Sequence, residues 1–293
     1  MTYLDEIGYS QEDCIASIRS YYHFLTQLYL PSSTVVSPPP SGWPSITSST
    51  LAPLNKTPTV LSLLQHLPYI EQPRDGDLTT VGAPRCFFAD WATICSDGSL
   101  ATPEGVEDVK VMSENLQILG IDYEEQLKLI PPHVIGLTYG ARDNSTILLD
   151  TESGVIYWVG CPGRIESARD RPAWYYEGDA FEYEGEEGGL EWRSSPAWPV
   201  AEFFEMLKRE FVEMRFIPTG VTEVGDVVEL ELSKGQYGEE VVGVLRRIYR
   251  RYGWPDLERY RKGECLEEVG RVLEERWRDQ RARMLAGEQV SDT

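Results

Sequence analysis

The chain has 293 residues, 41% of them hydrophobic and 26% charged, which is enough to build a sizeable core of its own. Lys and Arg number 27 against 48 Asp and Glu, a formal net charge of -21, so the molecule as a whole repels nucleic acid and anionic membranes. No apolar run reaches the length of about 18 residues that a membrane-spanning helix needs, and the acidic start at Met1–Glu6 lacks the pattern of a signal peptide.

Residues 10–30 predict an amphipathic helix. Ser10 and Asp13 give an S-x-x-D start, Ile15, Ile18, Tyr22 and Leu25 follow at helical spacing, and Pro31 ends it. Residues 31–59 are rich in Pro, Ser and Thr and read as extended, irregular backbone packed on the core through Trp43 and Ile46. Val60–Leu67 predicts a short helix stopped by Pro68, and Cys86–Ile94 a strand. Thr102-Pro103 starts a helix that runs to Leu119, with Gly120 as its cap, and a further short helix is expected over 123–130. Three β-prone runs, 134–138, 146–150 and 155–159, are separated by turn residues and predict an antiparallel meander. The loop Tyr139–Asp143 between two of these runs is either a pocket wall or a plain turn.

Residues 160–198 read as a long polar loop with some strand, and Val200–Met214 as a helix with Phe203, Phe204, Leu207 and Phe211 on one face. From 236 the chain is expected to be helical, as one helix over 237–252 and a second, capped by Asp256, running to about Leu285. The expected fold is therefore α+β. A central antiparallel sheet is flanked by helices, and the four stretches 1–30, 31–59, 60–235 and 236–293 form one compact domain.

Five cysteines, an odd number with no C-x-x-C, predict reduced thiols and a cytoplasmic protein. His23, His66 and His133 lack the spacing of zinc ligands, so no metal is expected. Phosphate-binding glycine loops and G-x-S-x-G are missing, so no nucleotide cofactor and no named catalytic residue are expected.

Two charged regions carry the functional expectations. In 174–192, the aromatics Trp174, Tyr175, Tyr176, Phe181, Tyr183 and Trp192 are interleaved with Glu177, Asp179, Glu182, Glu184, Glu186, Glu187 and Glu191, with no basic residue from 177 to 191. Carboxylates beside aromatic faces suit a guanidinium or ammonium, on a small molecule or a protein partner. The alternative is a solvated acidic loop. In the C-terminal region, 12 of the 27 basic residues but only 10 of the 48 acidic ones lie from residue 244 onward. Arg246, Arg247, Arg250 and Arg251 share one side of a helix and suit RNA phosphates, or else intramolecular ion pairs.

Tyr22–Leu25, Pro38-Pro39-Pro40, Gly42-Trp43-Pro44-Ser45-Ile46-Thr47 and Val60–Ile70 together resemble a family of filamentous-fungal proteins that has no settled activity. Val134–Leu137, Leu148–Thr151, Gly154–Trp158 and the helix from Trp198 to Leu207 are similar to the Smi1/Knr4 (SUKH) superfamily. That second resemblance implies an α+β fold and a role in binding other proteins, and brings no catalytic residues. The leading expectation is a binding module with an acidic-aromatic surface. The rival is an enzyme of specialised metabolism acting on an arginine-like substrate, dependent on aminoacyl-tRNA held by the Arg-rich helix.

Overall fold

A computed structural model describes residues 8–71, 80–114, 130–140, 144–166, 191–238 and 240–285. Its central element is a four-stranded antiparallel sheet in the order β5 (Val134–Gly136), β6 (Thr146–Asp150), β7 (Val155–Val159), β8 (Ala197–Pro199). Alternation of side chains along the strands gives the sheet two buried faces. Ile135, Leu149, Ile156 and Trp198 lie in register across one face and join the main core. Leu148, Tyr157 and Ala197 lie in register across the other, with Val134, Val155, Ile130 and Trp192. The meander thus forms as its period predicts. The fourth strand lies inside a stretch expected to be mostly loop. It is held there because Trp198 packs edge-on against Trp158 and beside Phe203.

Helix α7 (Val200–Val212) packs on the sheet, and the N-terminal helix packs in turn on α7. In α1 (Gln11–Leu28) the Ser10 hydroxyl accepts from the Asp13 amide, as an N-cap does. Its buried stripe of Ile18, Tyr21, Tyr22 and Leu25 meets Phe203, Phe204, Leu207 and Phe211 of α7 (Val200–Val212), with Tyr21 and Phe204 rings 5.3 Å apart. The buried Tyr21 hydroxyl donates to the Gly82 carbonyl at 2.7 Å.

The stretch 31–59 is more regular than its composition predicts. It contains β1 (Val35–Val36), paired with β2 (Tyr69–Ile70), a turn of helix α2 (Ser48–Leu51) and a 3-10 turn at Ala52–Leu54. A reciprocal capping box between Thr47 and Thr50 starts α2, a local hydrogen-bond gain that overrides the Ser/Thr bias against helix. Ile46 is fully buried, and the Trp43 indole donates to the Leu67 carbonyl. Helix α3 (Pro58–His66) follows.

The expected strand over 86–94 is corrected to two residues. Only β4 (Cys86–Phe87) pairs, with β3 (Val81–Ala83), and Asp90 then caps α4 (Trp91–Ile94) by accepting from the Thr93 amide. Helix α5 (Pro103–Glu114) starts at the expected Pro, while the expected end at Leu119–Gly120 and the helix over 123–130, save for Ile130 at its end, lie outside the described residues. A short helix α6 (Gly163–Glu166) follows the sheet's third strand. After α7 come a hairpin, β9 (Phe216–Pro218) with β10 (Val224–Asp226), and helix α8 (Val227–Leu232), none of them anticipated.

The C-terminal region is helical, with both expected boundaries moved. The helix expected over 237–252 is α10 (Val241–Arg251), and a separate short helix, α9 (Lys234–Tyr237), precedes it, because Gly238 (φ 75°) and Glu240 (φ 63°) both adopt left-handed backbone. Asp256 does not cap the last helix. Its carboxylate accepts from Glu258 within a turn, and α11 runs from Lys262 to Leu285. The start of α11 is docked on the end of α1. Lys262 Nζ donates to the Thr26 carbonyl at 2.7 Å and to that of Leu30, and Tyr260 donates to Leu28 at 3.0 Å. These donors satisfy carbonyls that the end of α1 leaves unpaired.

Candidate functional site

The two regions singled out in the sequence fare differently. Trp174, Tyr175, Tyr176, Glu177, Asp179, Glu182, Tyr183 and Glu184 lie outside the described residues. Trp192 is described, and it corrects one expectation. Only 1% exposed, it stands edge-on to Tyr157 at 5.0 Å, with the Arg193 guanidinium 4.9 Å over its ring. It is a core residue on the second face of the sheet and presents no surface to a ligand.

The four arginines of α10 do not act as one stripe. The helix buries Val241, Val242, Leu245, Ile248 and Tyr249, which turns Arg247 and Arg250 outward. Arg246 instead donates to the Met214 carbonyl at 3.1 Å. Arg251 pairs with Glu268 on α11, whose second carboxylate oxygen accepts from Tyr252. Two of the four are therefore engaged within the fold, Arg246 by a backbone carbonyl and Arg251 by an ion pair.

A buried ion network joins α6 to α7 and the β9–β10 hairpin, and the sequence reading did not anticipate it. Arg164 donates to Glu210 at 2.5 Å and to Asp226 at 2.6 Å, and Arg215 donates to both oxygens of Glu210 at 2.8 Å. The Glu210 and Asp226 side chains are 3% and 4% exposed, while each guanidinium side chain keeps 25%. Burial alone raises the Glu210 carboxyl. Hydrogen bonds from Arg215 and then Arg164 outweigh it and hold the group below the ordinary glutamate range. Asp226 also caps α8 through the Val228 amide. Both terminal nitrogens of Arg164 are engaged, so the network ties α6 to α7 and to the hairpin.

The cysteine thiols are not activated. Burial raises Cys14 to about 12 and Cys95 and Cys265 to about 11, and pushes Cys86 and Cys161 higher still. All five are free thiols, and at neutral pH they are protonated and poor nucleophiles.

One cleft of about 290 Å³ is lined by Leu54, Asn55, Lys56, Lys110, Glu114, Ile130 and Pro132. Lys56 Nζ donates to Glu114 at 2.5 Å and to the Val134 carbonyl at 2.8 Å, and both side chains are at most 3% exposed. The sequence held a signal for this site. Lys56 is the one Asp, Glu, Lys or Arg between Arg19 and Glu71. Its partner is 58 positions away, which no local pattern reveals.

Among the described residues, no group of His, Cys, Asp and Glu is arranged to hold a metal ion, and no helix is long and apolar enough to cross a membrane. No protein-family model, curated protein or solved structure matches this chain.

Proposed function

We propose that this protein is a binding module whose acidic, aromatic-rich insertion between β7 and β8 takes a guanidinium- or ammonium-bearing partner. The observation that supports it most is the place of that insertion in the fold. β7 and β8 are hydrogen-bonded antiparallel neighbours, a pair that about two to five residues suffice to join. Residues 160–196 intervene instead. Seven carboxylates and no basic residue fall between 177 and 191, beside four aromatics at 174–176 and 181 and a fifth at 183. Long connections that a sheet does not need for its own closure are where binding residues concentrate.

Both ends of the connection are fastened to the core. Near its start Arg164 is locked into the ion network, and near its end Trp192 is buried against the sheet. Rigid anchors reduce the entropy lost when a loop engages a partner. Carboxylates attract a cation at long range, and aromatic faces favour a guanidinium over a compact ammonium at short range. The role implied by the SUKH resemblance is of the same class. An RNA-dependent enzyme has less support, because Arg246 and Arg251 are already engaged.

The test is a titration with a hexa-arginine peptide, followed by tryptophan fluorescence. Binding is expected to be saturable, stronger than for hexa-lysine and absent for hexa-glutamate. The combined variant Glu182→Gln, Glu184→Gln, Glu186→Gln and Glu187→Gln is expected to lose it. A control of equal net charge, Glu12→Gln, Glu104→Gln, Glu107→Gln and Glu258→Gln, is expected to keep it. Equal loss in both variants would reduce the effect to overall charge and reject the reading.

A further inference from the structure

The cleft beside Lys56 lies apart from the insertion between β7 and β8. Its charges can be counted. Lys56 and Glu114 neutralise one another across 2.5 Å. Lys110 stands one helical turn before Glu114 on α5, the spacing at which an ion pair with that glutamate would form. Glu114 is already taken by Lys56, and Lys110 has no ion pair among the described residues. Among the described residues, Lys110 is therefore the one charged group lining the cleft that has no ion pair, in a chain whose net charge is -21. Beside it are Asn55 and an apolar lining of Leu54, Ile130 and Pro132.

The walls are rigidly set. A Cβ at Gly136 would lie 2.0 Å from the Ser113 carbonyl oxygen, so α5 rests directly on the backbone of β5 and places Lys110 and Glu114. Opposite, Asn55 ends the Ala52–Leu54 turn in left-handed backbone (φ 52°), and the next amide but one, that of Thr57, donates to the Pro132 carbonyl. The volume, about 290 Å³, lies at the lower edge of the range of roughly 300–1,000 Å³ typical of small-molecule sites.

We propose that this cleft binds a small organic monoanion, a carboxylate with an apolar body. The carboxylate pairs with Lys110 and accepts from the Asn55 amide, while the apolar body lies on Leu54, Ile130 and Pro132. A single spare charge matches a monoanion. A phosphate near its dianionic form would bring an excess negative charge beside Glu114.

The experiment is amide NMR of the full chain titrated with hexanoate, with hexan-1-ol and hexylamine as the neutral and cationic counterparts. Hexanoate is expected to shift the amides of Asn55, Lys56, Lys110, Glu114 and Ile130 saturably, and the two counterparts are not. Lys110→Gln is expected to weaken hexanoate about fivefold at low salt, the size of one solvent-exposed ion pair. Lys110→Glu is expected to abolish binding. An unchanged thermal transition in both variants would show that the fold is intact. Shifts that are scattered, absent up to about ten millimolar, equal for hexylamine, or untouched by Lys110→Gln would overturn the proposal. None of these outcomes depends on the acidic insertion.

Discussion

Glu210 accepts hydrogen bonds on both carboxylate oxygens from two guanidiniums that still reach solvent. That asymmetry, a buried anion served by hydratable cations, makes its removal costly without being catastrophic. Glu210→Gln is expected to destabilise the protein by about 2 kcal/mol at neutral pH, since Arg164 keeps Asp226 and Arg215 keeps Glu213. The pH dependence follows from the sign of the shift. The carboxyl is held lower in the folded chain than in the unfolded one, so its contribution is complete above the ordinary glutamate range. It is lost as the pH falls through the folded value. Urea unfolding measured from neutral to acid pH is expected to give a shallower decline for Glu210→Gln than for the wild type. Parallel curves would mean that Glu210 does not drive the acid response.

At the scale of elements, α5 rests directly on the backbone of β5. Glycine at 136 is required by the approach of the Ser113 backbone, not by an unusual φ. Gly136→Ala is expected to push α5 off the sheet at a cost of about 1–3 kcal/mol. In a chain of this size that lowers the melting temperature by a few degrees for each kcal/mol. Differential scanning calorimetry checks it, and an unchanged transition would contradict the contact.

Sequence and structure agree where one short segment carries all of the information. The period of two across 134–159 marks the meander, and Ser10 marks the start of α1. They part where a distant partner decides. β8 exists because Trp198 finds Trp158 and Phe203, and the hairpin β9–β10 is fastened by Arg164 and Arg215 from outside it. Asp256, a good cap by type, is spent in a turn that sets Tyr260 and Lys262 on the end of α1. The same limit applies to the sites. The acidic run and the lone Lys56 are visible in the sequence. The burial of Trp192, the occupation of Arg246 and Arg251, and the pairing of Lys56 with Glu114 are set by the fold.

For the whole molecule, the governing facts are a large negative charge and its uneven distribution. Residues 1–243 hold 38 of the 48 acidic residues and 15 of the 27 basic ones. The sheet ties this acidic part together, and Lys262 and Tyr260 tie the C-terminal helix back to α1. The molecule therefore offers cations a broad attractive field, and the insertion after β7 is the densest part of it. Location is what separates a specific site from that general attraction. Hydrogen–deuterium exchange of the full chain with and without the hexa-arginine peptide measures it directly. Protection confined to peptides within 174–191, and absent in the Glu182, Glu184, Glu186 and Glu187 to Gln variant, is the predicted result. Protection spread over the surface, or centred elsewhere, would contradict a binding site in the insertion.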